Sequence, residues 1–222
     1  MKPMDLPTDD LTGLPTRAAF ETALAQALKH AQEIGSPLSV AFLDIDHFLQ
    51  INESFGHPGG DVVLKRVAQL LQSHLQGGLA GRYGGDEFCV IFPGVEREQV
   101  LLRMEGFRAE VAAQSCFEEG EVKAETQVTI SGGIAAYPID SEEASDLLRK
   151  ADTALYRAKL SGRNKIVLAY DERMVPKTAH FPQSQLERLS ALARKESVSE
   201  AVLLREALDD LLTKYEHSFR AN

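Results

Sequence analysis

Arg82-Tyr83-Gly84-Gly85-Asp86-Glu87-Phe88 decides the reading of this chain. Two glycines carry the backbone through a tight turn, and two adjacent carboxylates follow at once. The flanks, Leu79-Ala-Gly-Arg-Tyr83 and Phe88-Cys-Val-Ile-Phe92, both read as strand, so the motif belongs on a hairpin tip. Glycine lets backbone approach a ligand without needing side-chain room. Neighbouring acids on such a turn repel unless a cation neutralises them. The combination points to a site for a nucleotide and a metal.

Outward from the hairpin, elements alternate. Thr16 reads as an N-cap, and Phe20, Leu24 and Leu28 give helical spacing. Leu38-Ser-Val-Ala-Phe-Leu43 is a short apolar run, read as a buried strand ending at Asp44. A short helix is expected from Phe48, then a break over Gly56-His-Pro-Gly-Gly-Asp61, then a helix from Val62 to Leu75. After the hairpin come a helix from Glu96 to about Cys116, a strand over Gln127–Tyr137, a helix over Ser141–Ser161 and a strand over Lys165–Tyr170. Glycines inside the 127–137 strand suggest a bulge or a close contact. Mixed strands and helices with a tight hairpin predict an α+β fold, with a central mixed sheet flanked by helices.

Composition sets outer limits. The chain has 222 residues, 44% hydrophobic and 26% charged, as in a water-soluble globular protein. No apolar run approaches membrane-spanning length, and the N-terminus lacks a basic segment followed by an apolar one. Cys89 and Cys116 show no metal-ligand spacing, and Cys89 reads as a core thiol. A cytoplasmic location without membrane association is expected. The net charge of −9 argues against nucleic-acid binding by the whole chain. Residues 172–222 hold eight Lys/Arg and eight Asp/Glu, so residues 1–171 carry that whole excess.

Two domains are expected, 1–171 and 172–222, with the boundary near Asp171–Pro176. In the second, Lys177–Pro182 reads as a short extended piece, Ser184–Lys195 as one helix and Ser199–Tyr215 as another. So short a segment cannot bury much core alone and needs a partner.

If the strand ending at Asp44 neighbours the hairpin, the carboxylates of Asp44, Asp86 and Glu87 converge at one sheet edge. Converging carboxylates are natural ligands for Mg²⁺, which bridges phosphates. Lys159 and Arg163, four residues apart near a helix end, could share a face and hold phosphates. Backbone N–H groups of His47 and Phe48 could cradle phosphate too.

Residues 10 to 165 resemble the GGDEF family of diguanylate cyclases. The resemblance rests on the hairpin together with Asp10-Leu-Thr-Gly-Leu14, Asp44-Ile-Asp-His-Phe48, Asn52, Gly56-His57, Gly60-Asp61 and Ala158-Lys-Leu-Ser-Gly-Arg-Asn164. It implies a nucleotidyl-cyclase, palm-like fold and an enzyme that condenses two GTP into cyclic di-GMP and two pyrophosphates. It also implies Mg²⁺, or Mn²⁺, held by Asp44, the Ile45 carbonyl and Asp86. Glu87 would be a second catalytic acid, acting as base or as metal ligand. Asn52 and Asp61 would read guanine, whose N1–H and N2–H₂ donors one carboxylate can accept together. Against adenine Asp61 would be left unpaired, which supplies selectivity.

Three positions depart from the family pattern. Lys is usual where Leu49 stands and Asn where Thr16 stands, so a slower enzyme is expected. The family's Arg-x-x-Asp product-inhibition site falls on Leu75-Gln-Gly-Gly78, so feedback through it should be absent.

One such domain holds one GTP, so two must face each other, and a permanent dimer removes much of the entropy cost. The C-terminal segment resembles a ribbon-helix-helix domain through Phe181-Pro182, Leu186-Glu-Arg-Leu189, Ala191-Leu192, and Ser199 followed by Leu203–Leu208. That resemblance implies a homodimer built on paired strands. It also implies Thr178 and His180 in a DNA groove and Ser199 holding phosphate. A neutral segment lacks the basic stripe of most DNA binders. A clamp for a protein partner and a helical hairpin packed on the first domain are the other readings. The competing function for the whole chain is a non-catalytic, nucleotide-responsive regulator that binds DNA or a partner.

Overall fold

The computed structural model describes residues 6–169, 179, 181–196, 200, 203, 204, 207, 208, 211, 214 and 215. The chain separates into two compact units, Met1–Glu172 and Arg173–Asn222. The first contains helix α1 (Arg17–Ile34), strand β1 (Leu38–Ile45), helix α2 (Phe48–Ser73), strands β2 (Leu79–Arg82) and β3 (Glu87–Pro93) and helix α3 (Arg97–Ala112). Strands β4 (Phe117–Glu119), β5 (Val122–Ala124) and β6 (Ile130–Tyr137), helix α4 (Ala144–Leu160) and strand β7 (Ile166–Leu168) complete it.

Five strands form one sheet in the order β2-β3-β1-β6-β7, and β4 and β5 pair separately. The β1–β3, β2–β3 and β1–β6 pairs are antiparallel, while β6 and β7 run parallel. The expected mixed α+β sheet is present. Every residue of central β1 is buried, because helices cover both faces. Leu38, Val40 and Phe42 pack with α1 and α4, while Ala41, Leu43 and Ile45 face the core shared with α2 and α3. This two-residue alternation also places Asp44 on the α1/α4 face.

The glycines of β6 mark a close contact. A side chain at Gly133 would overlap the Ala151 carbonyl oxygen and the Leu155 amide nitrogen, so the glycine lets α4 lie directly on the sheet. At Gly132 a Cβ would stand 2.6 Å from Leu43 Cδ2 and 2.8 Å from Ile166 Cδ1.

Several boundaries differ from the sequence expectation. The two helices predicted around 48–75 form one element, α2, interrupted at Gly56, whose φ of 69° and ψ of 172° no helix adopts. Pro58 follows in the first turn of the second half, where its missing N–H would have no helical partner. The helix therefore restarts at once instead of breaking over six residues. Helix α3 stops at Ala112, short of Cys116, and the β4–β5 hairpin was not anticipated. Thr16 occupies the N-cap position of α1 without a side-chain capping bond. Cys89 is fully buried and its thiol is pushed well up by that burial, in keeping with a core role.

In the second unit α5 spans Gln183–Glu196. Leu186 and Leu192 on it are exposed, as are Leu204, Leu208 and Leu211 beyond it. The predicted boundary near 171–176, residues 177, 178 and 180 of the predicted extended piece Lys177–Pro182, and with them the candidate DNA contacts Thr178, His180 and Ser199, lie outside the described residues. Among the described residues no helix is long and apolar enough to cross a membrane.

Candidate active site

Pairing of β1 with β3 sets Asp44 directly opposite Glu87. The pairing continues one step further, where the Ile45 amide donates to the Asp86 carbonyl at 3.2 Å. The acids from the two segments therefore meet at one sheet edge, as the sequence led us to expect. Like charges directly across a strand pair destabilise each other. Asp44 has only 5% of its surface exposed, which adds a desolvation penalty.

Lys159 answers part of that charge. Its Nζ lies 2.7 Å from Asp44 Oδ2. Burial nevertheless pushes the Asp44 carboxyl up to about 6, against the pull of the Lys159 ammonium and with added repulsion from Asp86 and Glu87. Glu87 is raised as well, first by burial and then by the charges of Asp86 and Asp152. One lysine thus leaves the edge short of positive charge.

The turn that carries Asp86 is held from outside. The Arg82 guanidinium donates to the carbonyls of Gly84 and Gly85, the shortest contact being 2.7 Å. It also binds both oxygens of Asp9, at 3.0 and 3.1 Å. Asp9 in turn accepts from the Thr12 amide and hydroxyl. The N-terminal Asp-x-x-Thr turn is thereby clamped to the acidic hairpin. Neither Gly84 nor Gly85 has a positive φ, so the turn does not need their left-handed conformations. A Cβ at Gly84 would fall against the flexible end of the Glu87 side chain, which can turn aside.

Asp46 has a different job from Asp44. It accepts from Thr129 Oγ1 and Ser131 Oγ, both at 2.8 Å, and from the Asn164 amide at 3.1 Å. Those bonds tie the loop after α4 to the end of β1. Arg163 lies in that loop with φ 60°, past the end of α4 at Leu160. Its expected sharing of a helix face with Lys159 therefore does not occur.

His47 precedes α2 with φ 59° and Phe48 begins it, so both amides sit at the positive end of the helix dipole. Leu49, next to them, is 70% exposed. Asn52 lies on the first half of α2 and Asp61 on the second. A Cβ at Gly60 would overlap Asn52 Oδ1, so the Asn52 amide packs on the backbone beside Asp61. The kink at Gly56 lets both stand on one element, and Asp61 is exposed.

A metal would meet only oxygen here: the carboxylates of Asp44 and Asp86 and the Ile45 carbonyl. Among the described residues no three His, Cys, Asp or Glu side chains are gathered to hold an ion. Two carboxylates and one carbonyl suit a hard ion that keeps water and takes substrate phosphates as its remaining ligands, as Mg²⁺ does. The donor set and its uncompensated charge both fit such a group.

Sequence reading assigned no role to the side chains of Arg82, Asp9, Tyr83 and Asp152. Tyr83 OH donates to Glu21 at 2.7 Å, and Arg17 stacks over its ring at 4.4 Å. The Asp-x-x-Thr spacing at Asp9 was the one local signal among them.

The family model for the diguanylate cyclase GGDEF domain matches residues 7–165, and a ribbon-helix-helix domain model matches 175–216. Over 163 residues the chain is 41% identical to diguanylate cyclase DgcP of Pseudomonas aeruginosa, covering 73% of this chain and 24% of that protein. Over 166 residues it is 35% identical to diguanylate cyclase A of Treponema denticola, covering 73% of this chain and 44% of the relative. The chain therefore spans less than half the length of either curated relative. The solved GGDEF domain of DgcB from Caulobacter crescentus, in complex with c-di-GMP, is 35% identical with a TM-score of 0.69. That match covers 76% of this chain and 99% of the solved one.

The Asp44 shift has a sign that can be tested. Its folded value lies above the ordinary 3.8, so the native state holds the proton more tightly than the unfolded chain. That stabilisation is present below pH 4 and is lost as pH rises through about 6. In EDTA, Asp44→Asn should match wild type near pH 4 and exceed it near pH 7 by on the order of 2 kcal/mol. Urea denaturation at both pH values checks this, and a constant gap or a reversed one contradicts it.

Proposed function

The chain belongs to the GGDEF diguanylate cyclase family, and on that premise we propose that it joins two GTP molecules into cyclic di-GMP. The observation that carries this reading is the carboxylate edge, with Asp44 across from Glu87 and Asp86 beside Ile45. A structural turn has no use for a buried carboxylate set against two more acids.

In the proposed reaction each 3′-hydroxyl attacks the α-phosphate of the other nucleotide. An O–P bond forms, the α–β bond breaks, and pyrophosphate leaves with the electron pair. Glu87 takes the hydroxyl proton, a role suited to a carboxyl raised by burial. Asp44, Asp86 and the Ile45 carbonyl hold Mg²⁺, or Mn²⁺, which when bound supplies Lewis acidity at the α-phosphate. Lys159 leaves Asp44 when that charge is met otherwise and turns to phosphate, with Arg163 from the following loop. The His47 and Phe48 amides receive phosphate oxygens at the start of α2. Asp61 accepts from the N1–H and N2–H₂ of guanine, and the Asn52 amide makes its hydrogen bond beside it.

Residues 172–222 act as the dimerising domain in this proposal. Leucines on and beyond α5 are exposed in the single chain, as expected of half a shared core. The ribbon-helix-helix match supports pairing of two copies. The segment is electrically neutral, so DNA reading by Thr178, His180 and Ser199 lacks the usual basic stripe.

Purified protein with GTP and Mg²⁺ should release pyrophosphate, and Asp86→Ala and Glu87→Ala should each lower that rate by about 1,000-fold with the fold intact. Release at the wild-type rate from either variant contradicts the assigned roles. Truncation after Tyr170 should leave a folded monomer whose rate per subunit falls steeply on dilution. Full activity of the dilute truncated protein would count against the C-terminal dimeriser.

A further inference from the structure

Lys159 occupies the acid that an ion would need. It stands in the last turn of α4, and its Nζ lies 2.7 Å from Asp44 Oδ2. The Asp44 side chain is 7% exposed, against 32% for Lys159. The acid therefore cannot turn away from the edge, whereas the ammonium, on a flexible four-carbon stem, can leave it. Gly133 lets α4 lie close on the sheet, so the fold itself sets the height of this contact. The ammonium also acts on Glu87 and Asp152, holding their carboxyls below where burial alone would put them. One mobile cation thus serves the whole edge.

An ammonium on a carboxylate oxygen is a monovalent stand-in for a metal. A divalent ion arriving alone meets Asp44 already paired. To take Oδ2 it must turn Lys159 out towards water, or onto Glu87 or Asp152, which are less buried than Asp44 and hold an ammonium more weakly. To take the other oxygen it must share one carboxylate with a second cation, and the two repel. A cation that arrives with a triphosphate meets neither obstacle. The cation replaces Lys159 at Asp44, and the phosphates replace Asp44 at Lys159. Neither charge is left uncompensated, which is what makes breaking a buried pair expensive.

We propose that Lys159 is the residue that makes the acid edge select a metal–triphosphate complex over a free divalent ion. The inference rests on the cyclase reading for the identity of the nucleotide, and it adds a rule for loading. Ion and nucleotide enter as one ligand, each strengthening the binding of the other by the same factor. When products leave, Lys159 returns to Asp44, so the buried carboxylate keeps a cation in either state. A lysine that served only as a phosphate contact would change nucleotide affinity and leave free-ion binding alone.

Manganese uptake by the full chain without nucleotide, followed at pH 8 by loss of the free-ion EPR signal, tests this. Lys159→Met keeps the apolar stem and removes the charge, and it should bind the ion alone about tenfold more tightly than wild type. Lys159→Arg keeps a cation for Asp44 and should exclude the free ion as wild type does. Arg17→Met removes a cation that acts on Glu87 but pairs with Glu21 rather than Asp44, and it should change uptake by less than about twofold. A non-hydrolysable GTP analogue should strengthen ion binding at least about fivefold more in wild type than in Lys159→Met. A cooperative urea transition in EDTA shows that each variant is folded. Free-ion binding by Lys159→Met no tighter than by wild type overturns the proposal. An equal gain in Arg17→Met or in Lys159→Arg overturns it too, since occupancy of Asp44 by a cation would then not be the cause. Pyrophosphate release separates the two claims. Release by wild type with no gain in Lys159→Met would sink the loading rule and keep the cyclase, whereas the gain without release would do the reverse.

Discussion

Repulsion between Asp44 and the acids of the neighbouring hairpin is the constraint around which this fold is arranged. Strand register places Asp44 opposite Glu87, and burial of Asp44 removes water that would screen its charge. Lys159 reaches from α4 to bind Asp44, yet the carboxyl still sits at about 6. The edge is therefore a charge deficit that folding tolerates. In the function proposed above, an incoming cation with its phosphates would relieve that deficit, so binding energy and catalytic placement would come from the same imbalance.

The rest of the domain serves to hold that edge. Arg82 and Asp9 fix the hairpin from the N-terminal turn. Asp46 fixes the loop after α4 through Thr129, Ser131 and the Asn164 amide. Gly133 lets α4 lie close on β6, which sets the height from which Lys159 reaches Asp44. The site is thus carried by strands and helices, with loops braced onto them.

Much of this was legible from sequence because the signals are local. Gly84-Gly85 between alternating apolar residues identifies a hairpin, and the run ending at Asp44 identifies a buried strand. Their adjacency put the acids together. What could not be read depends on distant partners or on short, weak elements. Lys159 reads as a phosphate ligand on a helix face, and nothing local shows that it crosses to Asp44. Arg163 reads as sharing a face with Lys159 because the two stand four residues apart near a helix end, whereas the backbone turns left-handed just past Leu160. The β4–β5 hairpin is two three-residue strands in acidic sequence, with only Phe117 and Ala124 buried, so it carries almost no alternation. At Gly56 a single residue bends the chain and Pro58 restarts the helix, which sequence reading turns into a longer break.

The claim that this edge is built to receive a divalent ion beside a guanine nucleotide can be tested without catalysis. Manganese can be titrated into the protein in the presence of a non-hydrolysable GTP analogue and followed by loss of its free-ion EPR signal. Wild type should take up the ion only with the analogue present, and Asp44→Ala and Asp86→Ala should lose that uptake. Equal uptake by all three proteins would show that the acids do not hold the ion, and the account would fail.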